Sequence, residues 1–233
     1  MCARITSATP ANEIADLFGI GTDITLPPRF NVAPSQLVPV VRADGRGGRE
    51  LVAMKWGLVP HWNRDPKPTA YVNARAETAA DKPAFRDAFR RHRGLVVADG
   101  FYEWEHVGRR KQPYHFRRAG GGPLAFAAVW DTWHGTDGFA ILTTAANDLV
   151  RPLHDRMPVL LDPADFAAWL DPAEHRPEAL LPLLTPYPAG RMEGWPVSER
   201  VNAATVDEPG LAAAVALPTP RRAGWEQPSL FEA

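Results

Sequence analysis

The chain is short of several things, and each shortage excludes something. It holds a single cysteine, Cys2, so no disulfide can form within it and a cysteine-rich zinc site is ruled out. No apolar run approaches the roughly 20 residues that a membrane-spanning helix needs. The opening Met1-Cys2-Ala3-Arg4 lacks the basic-then-apolar plan of a secretory signal, so a soluble cytoplasmic protein without a membrane partner is expected. An excess of either charge is missing too. The 26 basic residues stand against 27 acidic ones, for a net charge of -1, so any DNA binding must use a local groove rather than the field of the whole molecule. What is present is ordinary for a globular protein: 233 residues, 45% hydrophobic and 23% charged, a length that favours one large domain.

Periodicity gives a coarse map. Ile14, Leu17 and Phe18 share a helical face that stops at Gly19. Residues 37–42 and 51–56 are apolar runs joined by Asp44-Gly45-Arg46-Gly47-Gly48, a hairpin signal. Asp81 and Pro83 announce a short helix that turns Phe85, Ala88 and Phe89 inward. Five strands follow, at 95–98, 101–106, 114–117, 124–130 and 139–144, which predicts a mostly antiparallel sheet region. Residues 165–184 read as helix broken by Pro172, Pro177 and Pro182, and no internal repeat is visible. From Pro218 the composition turns to Pro, Arg, Gly and Ser, so 218–233 is expected to be a flexible tail after one domain spanning 1–217.

By base rates a lone cysteine is a small buried hydrophobe, but this one stands second in the chain. Methionine before a small residue is normally trimmed, and trimming leaves Cys2 with a free α-amine beside its thiol. With an amine pKa of about 8 and a thiol pKa of about 8.5, both nucleophiles are partly deprotonated near neutrality. An aldehyde is the matching electrophile: the amine forms an imine and the sulfur adds to the same carbon, closing a five-membered thiazolidine. N-terminal nucleophiles also cleave amides, and the cysteine alone does not choose between these chemistries.

Six blocks carry more. Met1-Cys2-Ala3-Arg4, Asn31-Val32-Ala33-Pro34, Trp56-Gly57-Leu58-Val59-Pro60, Asn73-Ala74-Arg75-Ala76-Glu77-Thr78, Asp99-Gly100-Phe101-Tyr102-Glu103-Trp104 and His154-Asp155-Arg156-Met157-Pro158 together resemble the SRAP family, the SOS-response-associated peptidases or abasic-site processing proteins. The blocks stand in family order across roughly residues 2–206. One departure is Ala3, where the family typically has glycine. The resemblance implies an α+β fold that is β-rich, with mostly antiparallel sheets and short peripheral helices, and an N-terminal cysteine at the floor of a positively lined single-strand groove. It also implies the target: the open-chain aldehyde of an abasic site in single-stranded DNA, captured as a covalent DNA–protein crosslink.

The resemblance assigns roles to residues that also have plainer readings. Asn73 either caps local amides or positions the cysteine and sugar. Glu103, in an aromatic strand, lies either on a solvated face or in the site, where apolar neighbours would raise its pKa for proton transfer. His154 is either a surface-loop histidine or the acid that helps open the sugar ring. Arg4, Arg75 and Arg156 lie within the chemical blocks and are candidates for phosphates. Trp56, Trp62 and Trp104 either stack on bases or fill the core, and Pro34 is grouped with them. The tail segment Gln227-Pro228-Ser229-Leu230-Phe231 resembles a bacterial sliding-clamp binding motif, with Gln227, Leu230 and Phe231 as its anchors.

The resulting expectation is an enzyme with lyase-like crosslinking chemistry that uses neither metal nor organic cofactor. Two other classes stay open: a peptidase that cleaves its own leader or other peptides, and a non-catalytic single-strand binding module.

Overall fold

The structure, a computed structural model, describes residues 3–21, 27–108 and 110–217. The chain begins with β1 (Ile5–Ser7) and α1 (Ala11–Phe18), which buries Ile14 and Phe18. Gly19 ends that helix in the left-handed conformation, φ 63°, where a side chain would be strained. After β2 (Arg29–Val32) come β3 (Leu37–Ala43) and β4 (Arg49–Trp56), the expected hairpin. Asp44 holds its turn by accepting from the Arg46 and Gly48 amides at 2.7 and 2.9 Å. Then follow β5 (Asn73–Arg75), α2 (Ala76–Ala79), α3 (Arg86–Arg91), β6 (Arg93–Ala98), β7 (Gly100–Val107), β8 (Arg110–Arg118), β9 (Leu124–Trp133) and β10 (Thr136–Ala145). The chain closes with β11 (Arg156–Pro158), β12 (Leu160–Leu161), α4 (Phe166–Leu170), α5 (Pro177–Leu180) and β13 (Met192–Pro196).

These strands form two sheets. One has five strands in the order β13-β8-β7-β1-β2. In the other, β3 pairs with β4, β4 with β10, β10 with β9, β9 with β6 and β6 with β3, a closed ring that leaves these central strands with few free edges. β5, β11 and β12 are attached to it. Pairing is antiparallel except for the two contacts of β10 with β4 and β5.

Strand alternation explains why β6 is buried along its whole length. Leu95 and Val97 enter a core shared with Phe18 of α1, Phe89 of α3 and Trp169 of α4, whereas Val96 and Ala98 enter a second core with Ile5, Phe101 and Phe116 of the five-stranded sheet. The helices therefore cover one face of the ring, and the five-stranded sheet packs on the other. The helical stretch expected at 165–184 is α4 and α5 with single 3-10 turns beside them, as its prolines require.

Candidate functional site

β1 and β7 build the first wall. Ile5 pairs with Phe101 and Thr6 with Gly100, and the Tyr102 amide donates to the Arg4 carbonyl at 3.0 Å. One step further in this antiparallel register, Ala3 faces Glu103. The Asp99 carboxylate anchors the exit of β1 by accepting from the Ala8 and Thr9 amides. Gly100 permits the close approach here, since a Cβ would fall 2.5 Å from His115 Nε2 and from the Phe116 carbonyl oxygen.

Glu103 is only 3% exposed. The solvated-face alternative fails because both faces of β7 are covered. Phe101 and Glu103 share the side on which Phe101 packs against Phe126 of the ring, while Tyr102 points the other way into a small core with Val197 and Val201. Burial pushes the Glu103 carboxyl up to about 7, and the charge of Asp155 adds to the rise.

The second wall is the C-terminal end of β10, flanked by β5 on one side and β11 on the other: Thr143 pairs with Arg75 and with Pro158. Asn73 and Arg75 share one face of β5, with Ala74 buried between them on the opposite face. His154 ends a turn built on Asn147. That side chain accepts from the Leu149 and Val150 amides, both at 3.1 Å, and donates to the Tyr187 carbonyl at 2.7 Å. The His154 amide in turn donates to the Val150 carbonyl at 3.1 Å.

The Arg156 amide donates to His154 Nδ1 at 2.9 Å, so Nδ1 is the bare nitrogen and Nε2 carries the proton. An Asp155 carboxylate oxygen also lies 2.9 Å from Nδ1, but a nitrogen that accepts an amide hydrogen has none to give, and we assign the contact as proximity rather than an ion pair. Burial lowers the His154 pKa, against the opposing pull of the Asp155 charge and of the hydrogen bond from the Arg156 amide, which keeps the ring neutral near pH 7. Glu103 and the His154–Asp155 turn thus border one region, linked by the influence of Asp155 on Glu103.

The arginines divide. Arg156 forms a two-pronged pair with Glu77, at 2.6 and 2.7 Å, and donates to the Thr143 carbonyl. Arg4 donates to Asn31 Oδ1 at 2.6 Å and to the Val201 carbonyl at 2.8 Å, and its guanidinium lies 5.8 Å from the centre of the Trp104 ring. Arg75 is exposed. The tryptophans divide as well. Trp56 is fully buried, donates Nε1–H to the Val72 carbonyl at 2.9 Å and stacks near Phe139, so the expectation of base stacking there is corrected: the ring fills the core. Trp104 is half-buried and tied to Asn202 at 2.6 Å, Pro34 is half-buried, and Trp62 stands 51% exposed. Cys2, Gln227, Leu230 and Phe231 lie outside the described residues.

Sequence reasoning passed over three supporting residues. Asn31 is fully buried and binds Arg4 through its oxygen and the Val201, Ala203 and Val206 carbonyls through its nitrogen. Glu77 fixes Arg156, and Asn147 shapes the His154 turn. Asn31 and Glu77 stand inside the six blocks, which was the available signal; Asn147 has none. Among the described residues, no group of three or more His, Cys, Asp or Glu side chains is placed to hold a metal ion, and no helix is long and apolar enough to cross a membrane.

A family model described as SOS response associated peptidase (SRAP) matches residues 1–204. The chain belongs to this family. The abasic site processing protein YoqW of Bacillus subtilis (strain 168) is 37% identical over 91% of this chain and 98% of its own length. The abasic site processing protein YedK of Escherichia coli (strain K12) is 32% identical over 73% of this chain and 79% of its own. An X-ray crystal structure of a protein from Bacteroides thetaiotaomicron matches with a TM-score of 0.81 at 23% identity, covering 92% of this chain and 100% of that one. That last likeness concerns the fold alone.

Proposed function

We propose that the protein processes abasic sites in single-stranded DNA by capturing them covalently through Cys2. Removal of Met1 frees the Cys2 amine. The amine adds to the C1′ aldehyde of the open sugar and water leaves, giving an imine; the thiol then adds across the C=N bond, sulfur to carbon and proton to nitrogen, giving the thiazolidine. Each step needs a proton moved near neutral pH. The observation that carries this reading is the Glu103 carboxyl, 3% exposed, held at about 7 and opposite Ala3, the neighbour of Cys2, in the β1–β7 register. A carboxyl at that value both gives and takes protons at pH 7.

His154, neutral and protonated at Nε2, is the donor to the ring oxygen of the closed sugar, and Asn73 orients the sugar from β5. Arg75 is the exposed cation for a flanking phosphate, and Trp62 the exposed ring for a base. Naming of the relatives as abasic site processing proteins supports the substrate. For the tail, we extend the reading to weak docking of residues 227–231 on the replication clamp, which would raise the local concentration of the protein on exposed strands.

Incubation of the purified protein with a single strand carrying one abasic site, and with the matching intact strand, tests the proposal. A shifted band that survives heat and detergent is expected with the abasic strand alone. No such band, or equal retention of both strands before denaturation and none after it, would contradict covalent capture.

A further inference from the structure

At the other end of β10 from His154 lies a polar cluster that the proposed chemistry does not use. Asp131 on β9 pairs with Gly138, whereas Arg156 pairs with Ala145, seven residues further along the same strand, a separation of about 23 Å. Asp131 is 5% exposed, and a buried carboxylate is costly unless donors surround it. Here one oxygen accepts from the His61 amide and from His61 Nδ1, both at 2.9 Å, and the other accepts from the Thr132 amide at 2.8 Å. It forms one wall of a cleft of about 500 Å³ that His61, Arg91, His92 and Thr132 also line.

Two residues on, and so on the same face of β9, Trp133 donates its Nε1–H to the Asn63 carbonyl at 2.8 Å. The segment between these anchors is a tight turn, closed by the Asn63 amide on the Pro60 carbonyl at 2.9 Å. Trp62 sits at its tip. It is flanked on both sides by residues bonded to β9, yet Trp62 itself is 51% exposed. A large aromatic held out in water on a turn pinned at both shoulders has been ordered before any ligand arrives, so a base that stacks on it loses less freedom to binding.

Resting on the reading that the protein binds single-stranded DNA, we propose that Asp131 and Trp133 are positioning residues that hold Trp62 as a preformed stacking platform for a base. Asp131 grips the His61 shoulder and Trp133 the Asn63 shoulder. Asp131→Asn keeps the volume and removes the second carboxylate oxygen. Trp133→Phe keeps the ring and deletes only the donor to Asn63, so it serves if the first variant folds poorly.

The test is a cycle with Trp62→Ala, reading affinity for an intact single strand and, on the abasic strand, the concentration that gives half-maximal crosslinking and the rate at saturation. Trp62→Ala weakens affinity by about tenfold, within the range of one stacked base. Asp131→Asn and Trp133→Phe each weaken it by about threefold to tenfold through lost preorganisation, raise the half-saturating concentration to match, and leave the saturated rate unchanged. Combined with Trp62→Ala, neither adds a further loss. Unchanged affinity in both variants, a lower saturated rate, losses that add to that of Trp62→Ala, or a Trp62→Ala variant that binds as wild type would each overturn the inference. If wild type fails to crosslink, the proposed function falls, while the affinity cycle on the intact strand still decides the role of Asp131 and Trp133.

Discussion

The ring and the five-stranded sheet each bury ionisable side chains, and they treat them differently. In the ring, Arg93 at the start of β6 is surrounded by acceptors: the carbonyls of Phe89, Arg90, Trp169, Asp171 and Glu174. Its charge is satisfied, and it ties α3 to the end of α4. In the five-stranded sheet, burial drives the groups toward neutrality instead. It pushes the His115 imidazole down to about 3 and the Glu103 carboxyl up to about 7. His115 is therefore neutral at any physiological pH, with Thr6 as its hydrogen-bond partner at 3.2 Å, and serves packing. Of these two buried groups, Glu103 is the one held near neutral pH. A buried charge with a full set of partners is a structural tie, whereas one held at the edge of neutrality is able to do chemistry.

The largest expected effect follows from that contrast. Glu103→Gln slows crosslinking by about 10²–10⁴-fold, the usual contribution of a positioned proton-transfer group, and removes an inflection near pH 7 from the pH–rate profile. Its effect on stability runs the other way. The folded protein holds the Glu103 proton more tightly than the unfolded chain, whose carboxyl titrates near the ordinary 4.5, so stability falls as pH rises from about 4.5 to about 7 and stays lower above. Glutamine does not ionise, so the variant is more stable than wild type at pH 8, by on the order of 1–3 kcal/mol. Urea titrations at pH 5 and pH 8 measure this, and a Gln variant destabilised at both would show that Glu103 is a tie like Arg93.

Arg93→Ala gives the converse result. Leaving its carbonyls without a donor costs on the order of 3–5 kcal/mol of stability, read from the denaturation midpoint, while the crosslinking rate per folded molecule stays at the wild-type value. A slower rate at full folding would join the ring to the chemistry and erase the distinction. His154→Ala is milder. It slows adduct formation by about ten- to a hundredfold with unchanged affinity for intact strands, and equal loss of both would make the His154 turn a part of the groove wall.

Much of this was legible in the sequence, and the remainder was hidden for physical reasons. The hairpin of β3 and β4, the stop at Gly19 and the succession from β6 to β10 could be read because each carries a period or a turn signal several residues long. β1, β2, β5, β11, β12 and β13 could not: they have two to five residues, too few to alternate visibly, and exist because longer strands pair with them. The closed ring was equally invisible, because it depends on β10 meeting β4 in parallel. In the site, residue types were legible and environments were not. Glu103 was a candidate from its block, but its burial depends on β7 turning the face it shares with Phe101 against the ring, where Phe101 meets Phe126. Trp62, after Pro60-His61 in a loop, was the better candidate for a base, whereas Trp56 at the end of an apolar run was open to either reading until the fold put it in the core. Asp131 carried no signal, since its partners lie on a loop some 70 residues away.

The smallest expected effect concerns charge on the surface. Arg4 and Arg156 are engaged within the protein and Arg75 is exposed, so Arg75→Ala is expected to flatten the log–log dependence of single-strand affinity on salt by about 0.7, the share of one phosphate contact. A larger change would mean that Arg75 also organises its neighbours.

Covalent capture through Cys2 is checked by the intact mass of the denatured adduct formed with an abasic single strand. The mass expected is that of the chain without Met1 plus the strand less one water, with no such species from Cys2→Ala, whose amine makes only a hydrolysable imine. A heat-stable adduct of equal yield from Cys2→Ala, or an adduct that retains Met1, would contradict it.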